Sequence, residues 1–339
     1  MTEARRLTRK DFTSDQEVRW CPGCGDYAIL AAVQSLLPEL GCVPERTVFI
    51  SGIGCAARFP YYLATYGMHG IHGRAPAIAT GLAATRPDLD VFVVTGDGDA
   101  LSIGGNHLIH ALRRNVNLKI LLFNNEIYGL TKGQFSPTSR LGQVTKSSPM
   151  GAIDQPFNPV SLALGAEATF VARTLDSDRA HLQGVLRAAH EHRGSAFVEI
   201  YQNCVVFNDD AFSFVTDRAT GHHNRIELVH GEPILFGPDE ERKAVVTKPG
   251  GGVEIVPAAE AGDRIVVHDA HASDPTRAFA LSRLSDGQGG PAPLGIFRQV
   301  ERSLYEERLD AQLEEARRQH GDGDVQALLE SGTVWDVSG

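Results

Sequence analysis

Short apolar strands that alternate with amphipathic helices constrain the fold of this chain more than any other feature. The strands are predicted at 47–50, 91–95, 118–123 and 196–200. Helical periodicity predicts helices at 29–37, 75–85, 103–114 and 178–192. Strands that are apolar on both faces are typical of parallel sheets covered by helices on each side. We therefore expect an α/β fold with a doubly wound, mostly parallel sheet, in which ligands bind at the carboxyl ends of the strands.

The two parts of the chain differ in charge and in pattern. Residues 1–204 carry 19 basic and 18 acidic side chains, whereas residues 205–339 carry 13 and 24. The alternation of strands and helices weakens in the second part, where a charged helix is predicted at 299–320. We therefore divide the chain of 339 residues into a domain at 1–215 and an acidic C-terminal extension at 216–339.

Composition and charge exclude several classes of protein. A net charge of −10 without a basic segment argues against a nucleic-acid partner. The chain has no run of 18 apolar residues, and its first ten residues lack the apolar stretch of a secretion signal, so we expect a cytoplasmic protein without membrane spans. Five cysteines, an odd number, favour metal or redox use over a disulfide framework.

Glycine-rich and polar segments follow the predicted strands. Gly96-Asp97-Gly98-Asp99 follows the second strand, and Asn124-Asn125 follows the third. Glycines at a strand end let backbone N–H groups approach a diphosphate, and the next helix adds its positive end. Asp97 and the side-chain oxygen of Asn125 are hard ligands of the kind that Mg²⁺ prefers. A GDG triplet also occurs in ordinary turns, but its spacing to the paired asparagines resembles the thiamin-diphosphate-binding motif.

Four of the five cysteines form a second group. Cys21 and Cys24 make a C-x-x-C pair, Cys55 ends a glycine turn, and Cys204 follows the fourth predicted strand. Four thiolates are the number that a 4Fe-4S cluster needs. A zinc site and a dithiol redox pair are the alternatives, although structural zinc sites usually combine two closely spaced ligand pairs. Cys42 is left over, and we interpret it as a small buried apolar residue.

Six segments of the chain together resemble one protein family. They are WCPGCGDY (20–27), GIGC (52–55), HGIHGRAPAIATGL (69–82), GDGDALSIGGNHLIHALRRN (96–115), NNEIYGLTKGQFSPTS (124–139) and YQNC (201–204). In combination they resemble the β subunit of the 2-oxoacid:ferredoxin oxidoreductases, and they are most similar to the 2-oxoglutarate type. The resemblance covers residues 15–215 and brings no motif for the rest of the chain.

The resemblance implies a thiamin-diphosphate-binding fold that holds thiamin diphosphate, Mg²⁺ and one 4Fe-4S cluster in the domain at 1–215. The implied cluster ligands are Cys21, Cys24, Cys55 and Cys204. The implied Mg²⁺ ligands are Asp97, Asn125 and the backbone carbonyl of Ile127. The implied contacts of thiamin diphosphate are Ile53, Gly54, Cys55, Ala56, His72, Gly98, Asp99, Gly129 and Leu130. Arg58 and Lys132 match positions near the substrate and are expected to pair with its carboxylates.

The resemblance also implies a reaction and a set of partners. Family members oxidatively decarboxylate a 2-oxoacid, here 2-oxoglutarate, with coenzyme A to give succinyl-CoA and CO₂, in a reaction that can reverse. The electrons pass through the cluster to ferredoxin. In this family the glutamate that activates thiamin comes from an α subunit, so we expect an α2β2 complex and an inactive isolated chain. Pyruvate or another 2-oxoacid as substrate, a non-redox thiamin-dependent decarboxylase and a zinc-stabilised binding protein are the competing interpretations.

Overall fold

A mostly parallel sheet forms the centre of the protein, which was analysed as a computed structural model that describes residues 6–284 and 289–337. The described strands are β1 (Thr47–Ser51), β2 (Tyr66–His69), β3 (Asp90–Gly96), β4 (Lys119–Asn124), β5 (Phe170–Leu175), β6 (Ala196–Tyr201), β7 (Arg225–Leu228), β8 (Leu235–Phe236), β9 (Lys243–Thr247), β10 (Val253–Pro257) and β11 (Ala292–Gln299). Eight of them form one sheet in the order β2-β1-β3-β4-β6-β5-β11-β7. β8, β9 and β10 form a separate antiparallel sheet.

The pairing within the large sheet confirms the α/β class predicted from the sequence. Strands β1 to β6 pair in parallel, β11 pairs antiparallel with β5, and β7 pairs in parallel with β11. Every residue of β1, β4, β5 and β6 is buried. Helices cover both faces of these strands, which are therefore largely apolar, and the charged side chains Arg173 in β5 and Glu199 in β6 form a buried ion pair.

Helices cover the sheet on both sides. The described α-helices are α1 (Asp26–Leu36), α2 (Ala75–Thr85), α3 (Asp97–Leu101), α4 (Gly105–Arg114), α5 (Pro159–Gly165), α6 (Arg179–Glu191), α7 (Ser213–Thr216), α8 (Ala258–Ala261), α9 (Thr276–Ser282), α10 (Tyr305–His320) and α11 (Val325–Leu329). Successive residues of β3 point to opposite cores: Val91 and Val93 pack with α2, α4, α5 and α9, whereas Phe92 and Val94 pack with α1 and α6. The sheet is therefore doubly wound, as expected.

Two helix boundaries differ from the sequence prediction. The helix predicted at 103–114 corresponds to α4, which begins two residues later at Gly105, and a separate short helix, α3, precedes it at Asp97–Leu101. The predicted start at residue 299 is wrong, since Gln299 is the last residue of β11 and pairs with Phe170, so that α10 begins at Tyr305. α3 begins directly after the end of β3, and α10 begins only after β11 has ended. Helical periodicity reports neither of these strand ends.

The chain beyond residue 215 contributes to the central sheet. It supplies β7 and β11, and Ile226, Leu228 and Phe297 from these strands join the core that also contains β1, β3 and β4. The domain boundary at 215 stays a prediction, but the segment after it shares a sheet and a core with the segment before it. In the described part of the chain no helix combines the length and apolarity needed to cross a membrane.

Candidate active site

The polar segments singled out in the sequence meet at one edge of the sheet. They follow β1, β3, β4 and β6, which are direct neighbours and run in the same direction. The carboxyl ends of these strands therefore lie side by side, as expected for a ligand site in a parallel sheet. Two adjoining cavities lie at this edge, which we call the cofactor cavity and the cysteine cavity.

The cofactor cavity has a volume of about 100 Å³. Every residue predicted to contact thiamin diphosphate or Mg²⁺ lines it: Ile53, Gly54, Cys55, Ala56, His72, Asp97, Gly98, Asp99, Asn125, Ile127, Gly129 and Leu130. These residues come from loops after four different strands, and the sheet brings them together. Their individual roles toward a ligand stay predictions.

Asp97 is the first residue of α3 and is only 2% exposed. Burial raises the pKa of its carboxyl group to about 6, although hydrogen bonds to the carboxylate favour the charged form and lower the pKa. Two of these come from the hydroxyl groups of Ser136 and Thr138, each 2.5 Å from Asp97 Oδ2. These hydroxyl groups hold one carboxylate oxygen in place. A buried carboxylate whose charged form is held by neutral donors is a suitable ligand for a divalent cation.

Asp99 ties two loops of the cofactor cavity to α3. Its Oδ1 accepts hydrogen bonds from the backbone N–H groups of Ile53, at 3.1 Å, and Gly73, at 2.7 Å. Its Oδ2 accepts a hydrogen bond from Thr95 Oγ1 at 2.8 Å. His72 Nδ1 lies 2.5 Å from the same Oδ1. Asp99 therefore positions the loops after β1 and β2, a role that sequence reasoning missed.

Gly98 allows Tyr128 to approach the start of α3. A β-carbon at Gly98 would lie 2.2 Å from Tyr128 Cε1, which no side chain tolerates. The Tyr128 hydroxyl group donates a hydrogen bond to the Gly98 carbonyl oxygen at 3.0 Å. The glycine of the GDG triplet thus serves the packing of a cavity wall in addition to any approach of a diphosphate.

The cysteine cavity has a volume of about 250 Å³. All four cysteines of the predicted cluster line it together with both predicted substrate-binding cations, that is, Cys21, Cys24, Cys55, Cys204, Arg58 and Lys132. No two of these cysteines form a disulfide. The structure therefore brings a C-x-x-C pair and two distant single cysteines to one place, as the cluster prediction requires.

The surroundings of Cys24 and Cys55 favour the neutral thiol over the thiolate. Burial, the nearby Asp26 carboxyl and neighbouring thiols raise the pKa of Cys55 to about 12, whereas Arg58 acts in the opposite direction. The pKa of Cys24 is also raised, first by burial and then by Asp26. Four converging sulfurs under these conditions suit a cationic centre, which stabilises thiolates.

The two cavities share a wall formed by Cys55, Asn125, Gly129 and Leu130. A β-carbon on Gly129 would lie 3.5 Å from Cys55 Sγ and 3.6 Å from Cys204 Sγ, so both sulfurs border the Gly129 backbone. Whatever occupies one cavity is therefore separated from the other by a single layer of residues.

Gln202 connects the predicted metal ligands of the two cavities. Its Oε1 accepts a hydrogen bond from Asn125 Nδ2 at 2.9 Å, and its Nε2 lies 3.2 Å from Cys24 Sγ as a donor. On the far side of the cysteine cavity, the Trp20 indole N–H donates to the Cys55 carbonyl oxygen at 2.8 Å. Sequence reasoning missed both residues, although each lies within a segment that carried the resemblance.

Glu126 lies next to Asn125 in sequence but faces away from both cavities. Its carboxylate oxygen Oε2 is 3.2 Å from Arg140 Nε, and burial raises the pKa of this carboxyl group to about 8. It lines a separate cavity of about 280 Å³ behind β4 and β6. Among the described residues that line the cofactor cavity the carboxylates are aspartates, and none is a glutamate.

Comparison with known proteins extends these observations. The family described as thiamine pyrophosphate enzyme, C-terminal TPP binding domain, matches residues 52–200, so the chain contains a thiamin-diphosphate-binding domain. The 2-oxoglutarate oxidoreductase subunit KorB of Mycobacterium tuberculosis is 61% identical over 332 residues, which cover 97% of this chain and 88% of that protein. The chain belongs to the β subunits of the 2-oxoacid:ferredoxin oxidoreductases.

Two further relatives support this assignment. Subunit β of 2-oxoacid:ferredoxin oxidoreductase 1 from Aeropyrum pernix is 44% identical over 68% of this chain and 72% of that protein. A solved 2-oxoglutarate:ferredoxin oxidoreductase from Magnetococcus marinus, with 2-oxoglutarate, coenzyme A and succinyl-CoA bound, matches 98% of each chain with a TM-score of 0.75 and 34% identity. The resemblance found in the sequence is thereby confirmed. As in other β subunits, the chain acts with a partner subunit.

Proposed function

We propose that this β subunit, together with an α subunit, oxidatively decarboxylates 2-oxoglutarate with coenzyme A and passes the electrons through a 4Fe-4S cluster to ferredoxin. The products are succinyl-CoA and CO₂, and with a strong reductant the reaction can run toward carboxylation. The wall shared by the cofactor and cysteine cavities carries the proposal, because an organic cofactor in one cavity and a one-electron carrier in the other would lie side by side. The names of the relatives from Mycobacterium tuberculosis and Magnetococcus marinus support 2-oxoglutarate as the substrate.

The cofactor cavity fits the diphosphate end of thiamin diphosphate with its metal ion. Asp97, Asn125 and the Ile127 carbonyl would hold Mg²⁺, and the hydroxyl groups of Ser136 and Thr138 would keep the Asp97 carboxylate oriented. When bound, thiamin diphosphate supplies the nucleophilic carbon and the electron sink that 2-oxoacid decarboxylation needs.

The cysteine cavity fits a 4Fe-4S cluster better than a zinc ion. Cys21, Cys24, Cys55 and Cys204 supply the four sulfurs that either group needs, so ligand number does not separate the two. The position beside the shared wall favours the cluster, because a zinc ion next to the cofactor cavity would accept no electrons. Gln202 and the Trp20 indole would fix the positions of Cys24 and Cys55 around the cluster.

Arg58 and Lys132 are suited to bind the dicarboxylate substrate. Both line the cysteine cavity, as do the residues of the shared wall, and the side chain of Lys132 is exposed. Arg58 Nη1 donates a hydrogen bond to the Arg19 carbonyl oxygen at 3.2 Å, which fixes one side of its guanidinium group. These two cations would attract a substrate with two carboxylates more strongly than pyruvate, which has one.

The α subunit would complete the active site, in an α2β2 complex. The apolar side chains around the cofactor cavity are exposed: Ile53 by 43%, Leu130 by 40% and Ile71 by 70%. A partner surface that covers them would exclude water from the cofactor and supply the glutamate that the lining of this cavity lacks. We therefore expect the isolated chain to bind thiamin diphosphate and to show no turnover of 2-oxoglutarate with ferredoxin or methyl viologen.

An anaerobic EPR experiment on the complex of this chain with its α subunit tests the proposal. Addition of 2-oxoglutarate and coenzyme A should produce the signal of a reduced 4Fe-4S cluster, and pyruvate should not. An equal signal with pyruvate would overturn the substrate while retaining the chemistry. A signal with dithionite but with no 2-oxoacid would overturn the oxidoreductase function, and the absence of any iron signal would overturn the cluster.

A further inference from the structure

A second group of potential metal ligands lies at the opposite edge of the sheet. Cys42 in the loop between α1 and β1, Asp90 at the start of β3 and His190 in the last turn of α6 each offer one ligand atom, and these atoms all lie within 4.8 Å of one another. β3 runs for seven residues from Asp90 to Gly96, so roughly 20 Å of strand separates this group from Asp97. The proposed function does not use any of these three residues.

The two distances from His190 Nε2 to the other members of the group fit a tetrahedral zinc ion. Cys42 Sγ is 3.4 Å and Asp90 Oδ1 is 3.3 Å from the same atom, His190 Nε2. With zinc bonds of about 2.3 Å to sulfur and about 2.0–2.1 Å to nitrogen and oxygen, the edges of a tetrahedron are about 3.5 Å and about 3.3 Å. The separation of 3.3 Å between His190 Nε2 and Asp90 Oδ1 is longer than the N···O distance of about 2.9–3.0 Å that is typical of a hydrogen bond.

In the absence of a cation, the Cys42 thiol and the His190 ring both hydrogen-bond to the Asp90 carboxylate. A single N–H at His190 Nε2 cannot point well at both Cys42 and Asp90, whereas a cation between the three atoms would contact all of them. The Lys119 ammonium group, which lies close to Asp90, is directed to the carbonyl oxygens of His192 and Gly194 at 2.5 and 3.1 Å. The Asp90 carboxylate thus faces Cys42 and His190, while the hydrogen bonds of the Lys119 ammonium group go to these carbonyl oxygens and to Asn117 Oδ1.

The donor set and the surroundings point to zinc with one open position. We propose that Cys42, Asp90 and His190 bind one Zn²⁺, with water as the fourth ligand. A thiolate, an imidazole and a carboxylate are the ligands that Zn²⁺ accepts together. Asp90 and His190 line a cavity of about 270 Å³, which leaves room for the water, whereas Cys42 is only 2% exposed. The ion joins the loop after α1 to β3 and α6, and so fixes three elements that are distant in sequence.

Zinc content of the anaerobically purified α/β complex, produced without a histidine tag, tests the site. We expect about one zinc per β chain, as for a single tetrahedral site, in addition to the iron of the cluster. Cys42→Ala and His190→Gln should each lower it to about a tenth or less, while iron content and activity stay within about twofold of the unsubstituted complex. The control His181→Gln, which removes another histidine of α6, should retain the zinc.

Zinc K-edge absorption spectroscopy of the same samples identifies the ligands. The proposal expects one sulfur at about 2.3 Å and three nitrogen or oxygen ligands at about 2.0 Å. Zinc surrounded by four sulfurs would mean that it occupies the cysteine cavity, and this result would overturn the proposal. Zinc below about a tenth per chain after incubation with Zn²⁺ and desalting, or zinc retained in both Cys42→Ala and His190→Gln, would overturn it as well.

Discussion

The two edges of the central sheet consist of opposite ends of the same strands, but their polar groups are arranged differently. At the carboxyl edge, loops with positive φ at Gly54, Glu126 and Lys132 surround two cavities. At the amino edge, the side chain of Asn115 makes several hydrogen bonds. Its oxygen accepts from Thr169 Oγ1 and the Ser195 N–H group, and its amide nitrogen donates to the Arg302 carbonyl oxygen. Polar groups at the amino edge thus mainly satisfy one another, whereas those at the carboxyl edge are held ready for ligands.

This difference shows that residues for ligand binding and residues for stability lie at opposite edges of one sheet. The strained backbone and the buried carboxylates at the carboxyl edge cost stability, which the network at the amino edge and the two apolar cores offset. The comparison predicts that substitutions at the carboxyl edge change cofactor binding and electron transfer. Substitutions at the amino edge should change stability or structural metal content and leave the chemistry intact.

Replacing one cysteine at each edge tests the comparison most strongly. Cys55→Ala should reduce the iron of the complex from about four per chain to background and lower activity by more than about 100-fold, because it removes a ligand and part of the shared wall. Cys42→Ala, the matched control, should keep iron and activity. Iron and activity assays give the answer, and equal loss in both variants would mean that the edges are not chemically separate.

A smaller effect is expected from Thr138→Val, which removes the hydroxyl group shared by Asp97 Oδ2 and Asn124 Oδ1. Loss of a group that orients a metal ligand typically weakens metal affinity by about 10–100-fold, and we expect this loss in Mg²⁺-dependent binding of thiamin diphosphate. Calorimetric titration at fixed Mg²⁺ measures it. Thr138→Ser, which keeps the hydroxyl group, should bind like the unsubstituted chain; weak binding by both variants would point to packing instead.

At the amino edge, the buried His192 should make stability depend on pH. Burial, followed by the charge of Lys119, lowers the pKa of His192 to about 4, compared with about 6.5 in an unfolded chain. The unfolded state therefore binds more protons below pH 6.5, and the free energy of unfolding should fall by about 1–2 kcal/mol between pH 7 and pH 5. The thermal midpoint of the complex with His192→Gln should depend less on pH over this range, and identical profiles would contradict the assignment.

The smallest predicted effect concerns Gln202, whose amide donates toward Cys24 Sγ. A hydrogen bond to a cluster sulfur favours the reduced state, which carries more negative charge, so Gln202→Leu should lower the cluster potential. We expect a decrease of about 20–60 mV, the one-electron equivalent of about 0.5–1.5 kcal/mol. Redox titration followed by EPR measures the shift. Gln183→Leu, a glutamine of α6 outside both cavities, should leave the potential unchanged.

The sequence alone was sufficient to predict four of the six parallel strands β1 to β6 and the candidate ligands that line both cavities. β1, β3, β4 and β6 are largely apolar, and the segments that begin at residues 52, 96, 124 and 202 lie at or directly after their ends. The exposed β2 and the strand β5, which contains the buried Arg173, were not predicted. The carboxyl ends of parallel neighbours must meet, so strand order alone assembles Cys55, Asp97, Asn125 and Cys204. Local pattern and general topology were enough for this part.

The rest depends on contacts between distant residues, which no local pattern reports. Ser136 and Thr138 contact Asp97 from about 40 positions further along the chain. The group of Cys42, Asp90 and His190 spans nearly 150 positions. In the sequence its members are an isolated cysteine, the first residue of a strand and a residue near a helix end. Among the strands after residue 215 that were missed, β7 and β8 have only four and two residues, whereas β11 has eight but its apolar pattern is interrupted by Gly295 and Arg298. Pairing in the sheet, rather than apolar periodicity, defines them.

The place of β11 in the sheet has a consequence for biosynthesis. Cys204, the last of the four cysteines at the carboxyl edge, is translated well before Ala292, where β11 begins and where the free side of β5 first gains its neighbour. A growing chain therefore emerges from the ribosome with its thiols complete and one strand edge still uncovered, a state prone to pair with other chains. Synthesis of β11, rather than completion of the cysteine set, is therefore the step after which the free side of β5 is covered.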